Sequence, residues 1–420
     1  MASPAGPGRR PLRQRVAGNY HQALQSRSFA FVWAGQFVSR IGDNVYRVAL
    51  AWWVLEETGS AAAMGTVLIF SFTPMLLFVL IGGVVVDRVS RLRVMFWADI
   101  VRAIVTLSVA TGAFSGTLEL WEICLASVVF GFAAAFFQPA YVAVVPEIVA
   151  EGRLNAANSL TSLSQQMATI VGPAAGAVCI AFGGPALGFA VNGASFVAAG
   201  LCLLGLPWTS IGKAPGSARP GILGDMKEGL ATVASSTWLW ATISLAALGN
   251  LALAGPMQIA LPFLLREERG EGATAFAVFL SFAAVGSVGT ALVLGSKSRI
   301  RRRGPLAYLG LIGNGIMLVL LGQDIPIPAL WIAGLFGGIC LTLFDLIWIN
   351  TIQELVPKHL LGRVFSVDQL GSFALLPLGF AFTGWATNAF GAAEVLATSG
   401  AVLIVLAALG LLAPAVRRLD

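Results

Sequence analysis

The sequence predicts an all-α membrane protein whose twelve transmembrane helices form two six-helix bundles. Three observations carry this. Of 420 residues, 57% are hydrophobic and only 11% are charged, about half the roughly 25% usual in a soluble domain. The apolar residues gather into twelve runs near the roughly 20 residues that a spanning helix needs. One long polar interval falls midway and divides the runs six and six.

The runs lie at about 29–55, 61–86, 94–114, 121–141, 160–182 and 185–206, then 238–265, 273–295, 306–321, 327–349, 364–390 and 392–416. They are unbroken, whereas a closed barrel needs alternating segments of about 10 residues. The ninth is the weakest, because Gly310, Gly313, Asn314 and Gly315 dilute it. The expected organisation is an N-terminal arm over 1–27, a bundle over 28–207, a linker over 208–236, a second bundle over 237–416 and a tail over 417–420. Ile222, Met226, Leu230 and Val233 recur at helical spacing in the linker, predicting a surface amphipathic helix.

This composition excludes a soluble enzyme, a disordered chain and a nucleic-acid binder. The net charge of +6 is topogenic. The 26 Lys and Arg concentrate in the N-terminal arm, the even-numbered loops and the tail. The odd-numbered loops hold only Arg266 and Arg269, against acids that include Glu56, Glu57, Glu119, Glu122 and Glu394. By the positive-inside rule both termini are expected in the cytoplasm of a cell (inner) membrane protein. The first apolar run is too long for a signal h-region and no small-residue cleavage site follows it, so no cleavable signal is expected.

Cys124, Cys179, Cys202 and Cys340 each sit inside an apolar run without C-x-x-C spacing. They read as small packing residues rather than a disulfide framework or metal site. His21 and His359 lie far apart in the chain. No G-x-x-x-x-G-K-[ST], H-E-x-x-H or G-x-S-x-G is present, so neither a nucleotide site nor a hydrolytic centre is expected. No cofactor is implied.

The two halves echo each other. Val145-Pro146-Glu147, Gly152-Arg153 and Asn158 find a counterpart in Val356-Pro357-Lys358, Gly362-Arg363 and Asp368, about half the chain length away. Asp87-Arg88 and Arg91 to Arg93 are mirrored by Ser296-Lys297 and Arg299 to Arg303, which keep the bases and lose the acid. Parallel six-helix repeats with a site at their interface are a transporter architecture.

These stretches carry a resemblance. Gly83-Val-Val-Val-Asp87-Arg88-Val-Ser-Arg91-Leu-Arg93 resembles the loop two–three signature of the major facilitator superfamily, with Ser90 where Gly is usual. Gly35-Gln36 through Gly42-Asp43, Thr58-Gly59-Ser60, Asp99 through Arg102, Pro146 through Ser159, and Glu228-Gly229-Leu230 resemble its drug:proton antiporter branch of macrolide efflux pumps and the enterobactin exporter. Gly172-Pro173-Ala-Ala-Gly176 is similar to the core of that branch's antiporter motif; the Gly expected earlier is Ala168, and the helix-four Arg of many family pumps is missing. The resemblance implies the major facilitator fold, with helices one, four, seven and ten around a central cavity.

Ionisable residues inside a membrane are expensive, at about 2.5–3.5 kcal/mol each on insertion scales, and so become functional candidates. Arg40, Asp43 and Arg47 share one face of helix one, with Gln36 a turn below and Tyr46 beside them. The resemblance turns that stripe to the cavity. It reads either as fixed positive charge for an anionic or polar part of the substrate, or as an intrahelical salt bridge holding helix one to its neighbours. Proton coupling needs a carboxylate whose charge can change. Asp345, with no base within four positions, is the better carrier on local chemistry, although an inner-gate role also fits; the resemblance favours Asp43. Asp99 and Arg102 group with Gly83, Asp87, Arg88, Arg91 and Arg93 as an ion-pair lock on the cytoplasmic side, or form a static helix-end bridge. Gln138, Asn250, Gln258 and Trp348 complete the candidate substrate site, and Asn350 and Phe137 are further cavity candidates. Pro256 predicts a kink in helix seven, and Trp52 and Trp53 read as an interfacial belt.

The expected function is secondary active export of amphipathic small molecules of drug, macrolide or siderophore class by proton antiport. Protons and membrane lipids are the other expected partners, with no nucleic acid and a monomeric state. A lysophospholipid or lipid flippase on the same fold is the alternative, and a non-transporting membrane sensor the third.

Overall fold

The computed structural model describes residues 24–149, 153–206, 230–295, 301–357 and 360–417, and apart from the side chains at 80, 83, 84, 87, 88, 155, 295, 361–363, 366 and 415 these are the described residues. Most of the linker, with Ile222 and Met226, therefore lies outside them; of its apolar stripe, Val233 is buried and Leu230 exposed.

Four helices open the chain: α1 (Arg27–Thr58), α2 (Ala61–Arg88), α3 (Arg91–Ser115) and α4 (Leu120–Ile148). The turn between the first two is set by its sequence. Gly59 takes a left-handed conformation (φ 57°) to close α1, and the Ser60 side chain caps α2 by accepting from Ala63 N. A continuous helical stretch, Leu154–Leu204, is broken at Gly183 and at Gly184, whose φ of 66° suits glycine. It therefore counts as α5 (154–182) and α6 (185–204).

The second half repeats the plan with α7 (Thr237–Glu268), α8 (Ala273–Gly295), α9 (Arg303–Leu321), α10 (Ile327–Leu355), α11 (Leu361–Phe373 and Leu376–Phe390) and α12 (Ala392–Leu412). Among the described residues ten helices meet the length and hydropathy needed to cross a bilayer. To these add α1, whose three central charges lower its apolarity, and the second limb of the broken helix. The twelve spans are those the apolar runs predict.

Packing follows the repeat. In the first bundle α1 packs on α5 and α6, α2 on α4, and α3 on α6; in the second α7 packs on α11 and α12, α8 on α10, and α9 on α12. The two bundles meet through α2 with α11 and α5 with α8, pairs that a two-fold relation between the halves exchanges. The glycines that dilute the ninth run earn a packing role: Gly310 lies against the Cys340 carbonyl of α10 and Gly315 against the Gly400 carbonyl of α12. Small residues of this kind let membrane helices approach closely. α7 passes through two π-helical turns, Pro256–Ala260 beyond its middle and Leu264–Glu268 at its end. The first begins at Pro256, which removes a backbone donor, and the helix continues through it without ending.

Candidate functional site

The site begins with α1. Gly172 and Gly176 of α5 lie against Asn44 and Val48 of α1, and Gly42 of α1 faces Asn192 and Ser195 of α6. These contacts fix the helix; of its polar stripe Arg47 is exposed, Arg40 and Asp43 are half-buried and Gln36 is buried. From Val48 to Leu55 every residue is buried, while Arg47, one position earlier, is exposed in mid-helix. Arg47 thus marks the point along α1 where the exposed part of this face ends.

Behind this stripe lies a buried polar cluster. Asp43 has Asn192 beside it and Arg102, Arg47 and Arg40 within electrostatic range. Arg102 donates to Asp99 at 2.5 Å. Its guanidinium lies 4.5 Å from the Phe137 ring centroid and 4.4 Å from that of Phe196. Asp99 is fully buried and Arg102 is 7% exposed. Aromatic faces and a carboxylate together offset the desolvation of this cation. Arg40 sits over the Tyr141 ring at 5.4 Å. Asn192 and Ser195 are uncharged residues in an apolar helix, and only the Asn itself could have marked them in the sequence.

In the second bundle α7, α10 and α11 enclose a pocket of about 280 Å³ lined by Asn250, Asp345, Trp348, Asp368, Gln369 and Ser372 together with Phe344, Phe365 and Phe373. Asp345 is exposed on α10. Asp368 is buried, and one of its oxygens accepts from Trp348 Nε1 at 3.2 Å and from the Ser372 hydroxyl at 3.4 Å. Asn250 donates to the Ser372 carbonyl at 3.0 Å, tying α7 to α11. Gln258, in the first π turn, is half-buried, and Gln138 is exposed on α4.

The side carrying loops one–two, seven–eight and eleven–twelve is closed by contacts between the bundles. Asn388 accepts from Ala61 N at 2.9 Å and donates to Ser60. Arg266 pairs with Glu56 at 3.5 Å and lies 5.5 Å over the Trp52 ring. Phe72 packs on Phe380. Trp52 and Trp53 are only 6% and 7% exposed, which corrects their reading as an interfacial belt: both are buried in protein, Trp52 beneath Arg266 of the second bundle.

The residues grouped as a lock separate into three places. Arg91 pairs with Glu147 and donates to the Ala143 carbonyl at the end of α4. Arg303 makes the corresponding pair with Glu354 of α10 at 2.6 Å. Arg93 is exposed on an apolar groove with Trp97 and Phe136. Asp99 and Arg102 join Asp43 instead of the loop bases. The side chains of Gly83, Asp87, Arg88 and Arg363 lie outside the described residues. Pro173 sits within α5 between its two contact glycines. Among the described residues no His/Cys/Asp/Glu group could hold a metal ion.

Two six-helix bundles that meet through exchanged helix pairs, with charged side chains inside their apolar spans, have the architecture of a membrane transporter of the major facilitator type. Residues 20–420 match the family described as transmembrane secretion effector, and the chain belongs to it. It is 25% identical over 398 residues to macrolide efflux protein A of Streptococcus pyogenes, covering 93% of this chain and 97% of that one. It is 27% identical over 391 residues to the multidrug efflux pump Tap of Mycobacterium tuberculosis, covering 90% and 91%. Among solved structures it is similar to a bacterial homologue of the lysosomal transporter Spinster, with a TM-score of 0.71, 15% identity and 98% of each chain covered. A POT family transporter gives a TM-score of 0.73 at 13% identity, over 93% of this chain and 99% of that one. The chain is thus a multi-pass membrane transporter and not an enzyme.

Proposed function

We propose that this transporter exports amphipathic small molecules, of the drug, macrolide or siderophore class, across the cell membrane by alternating access coupled to protons. The observation that carries the reading is the exposure of Arg47 and Asp345 in mid-span, on facing bundles, beneath a sealed side. A membrane protein leaves charges unburied at that depth only where they line a wet cavity. The positive-inside count supports cytoplasmic termini and a cavity that opens to the cytoplasm. Arg40, Asp43, Arg47 and Gln138 are assigned to one wall, with Gln36 buried behind it, and Asn250, Gln258 and Trp348 to the other. The similarity to efflux pumps favours outward movement.

Asp345 is the proton carrier favoured by position. It is exposed to the cavity and shares its pocket with Asp368, so proton binding relieves repulsion between two carboxylates. Asp43 stands among three arginines and serves as the second candidate. The test is purified protein in proteoliposomes with an imposed pH gradient and a labelled macrolide. Gradient-driven movement is expected in wild type and lost in Asp345→Asn. Unchanged movement in both Asp345→Asn and Asp43→Asn rules out proton antiport through these residues. Gradient-independent lipid exchange would instead assign a flippase.

A further inference from the structure

The pocket of the second bundle selects a charge as well as a shape. Two carboxylates, Asp345 and Asp368, line it, and among the described residues that line it there is no Lys or Arg. Asp368 is held by Trp348 and Ser372, which fixes its carboxylate before any ligand arrives. Four aromatic side chains, Phe344, Trp348, Phe365 and Phe373, share the wall with aliphatic residues and with Asn250, Gln369 and Ser372. Carboxylates attract a cation directly, and ring faces attract it through their quadrupole, most strongly where water is scarce. A volume of about 280 Å³ lies near the lower bound of roughly 300 Å³ for small-molecule pockets. It fits a head group better than a whole drug.

We infer that this pocket seats the cationic head, a protonated amine or quaternary ammonium, of the transported molecule. The body of the ligand then extends into the cavity towards α1. There Arg40 and Arg47 repel a second cation, so the two walls orient an amphipathic cation end to end. The assignment rests on the transport reading above and narrows its substrate class.

Binding without a gradient tests it. The purified full chain is titrated with phenyltrimethylammonium and with benzenesulfonate, similar in shape and opposite in charge, and followed by saturation-transfer NMR. The ammonium ion is expected to bind about tenfold or more tightly than the sulfonate. Asp345→Asn and Asp368→Asn are each expected to weaken it by about tenfold, while Glu394→Gln, outside the pocket, leaves it unchanged. Asp345→Asn is isosteric and sits on an exposed wall, so it carries the test if Asp368→Asn fails to fold. Equal binding of the two ions, or an unchanged ammonium affinity in Asp345→Asn, overturns the assignment. Because no gradient is involved, this result is separate from the proteoliposome outcome: ammonium binding with no transport would refute the transport reading alone.

Discussion

In the first bundle Arg102 lies between Phe137 and Phe196 and is paired with Asp99. In the second, Asp345 stands exposed on α10, in a pocket lined by a second carboxylate and, among the described residues, by no base. Both sets of charges lie within apolar spans, and both look equally expensive from the sequence. The difference is that one set is balanced inside protein and the other is left facing a cavity. Balanced buried charge fixes helix against helix, whereas unbalanced charge on a cavity wall is available to a ligand or a proton. The same cost of insertion thus serves structure around Arg102, and at Asp345 it leaves a carboxylate on a pocket wall, where we propose it serves transport.

The largest effect is expected from Arg102→Met. It leaves Asp99 and the nearby Asp43 without the cation between them. Removing one partner of a buried pair costs about 3–5 kcal/mol, read as a fall in thermal stability of the detergent-solubilised protein. Asp99→Asn together with Arg102→Met should recover much of that loss, because the orphaned charge is gone. A loss below about 1 kcal/mol for Arg102→Met alone would break the contrast between the bundles.

Gly42→Val tests the same cluster by volume. A Cβ at Gly42 would meet Asn192 Oδ1 at 2.6 Å and Ser195 Cβ at 2.8 Å, so α1 must move away from α6 to accept it. Overpacking of this kind costs about 1–3 kcal/mol. The loss should extend to ligand binding on the α1 wall, since Asp43 is the next residue. Unaltered stability and binding would show that the α1–α6 contact does not position the stripe.

Most of the fold is legible in the sequence because a bilayer enforces it: unbroken apolar runs of the right length have few alternatives to helices. The repeat is equally legible, and the pairs Arg91–Glu147 and Arg303–Glu354 give it a structural form. The candidate site is legible only in part. Charged residues in an apolar run announce themselves, which marks Arg40, Asp43, Arg47, Asp99, Arg102 and Asp345. Which of them face each other depends on helix rotation, and local spacing does not encode it. Asp99 and Arg102 therefore read with the loop bases, although the α3–α6 contact turns them to Asp43. Asp368 accepts from Trp348 and Ser372, and the link to Trp348, which comes from another helix, has no signal in local spacing. Trp52 and Trp53 sit at a helix end, where a belt residue and an inter-bundle contact have the same sequence signature.

The sealed side supplies a smaller test. Arg266 and its partner Glu56 are both partly exposed, at 27% and 42% of their side chains. An exposed pair contributes about 0–1 kcal/mol, so Arg266→Gln should barely change the melting temperature. Its effect should fall on the balance between conformations, because the pair joins one bundle to the other. A cysteine placed at Ser60 should label several-fold faster when Arg266 is replaced, as the contacts around Asn388 open more often. Equal labelling rates would remove Arg266 from the seal.

The smallest expected effect on stability is the most informative one. Asp345→Asn changes one exposed side chain without altering its shape, and substitutions away from buried features stay within about 0.5 kcal/mol. If the carboxylate works on a cavity wall, the variant should melt like wild type and still lose gradient-driven movement. If instead it melts early, Asp345 is balanced by a partner as Arg102 is, and the two bundles treat their charges alike. Pairing this melting curve with that of Arg102→Met therefore separates charge that holds the protein together from charge that acts on what passes through it.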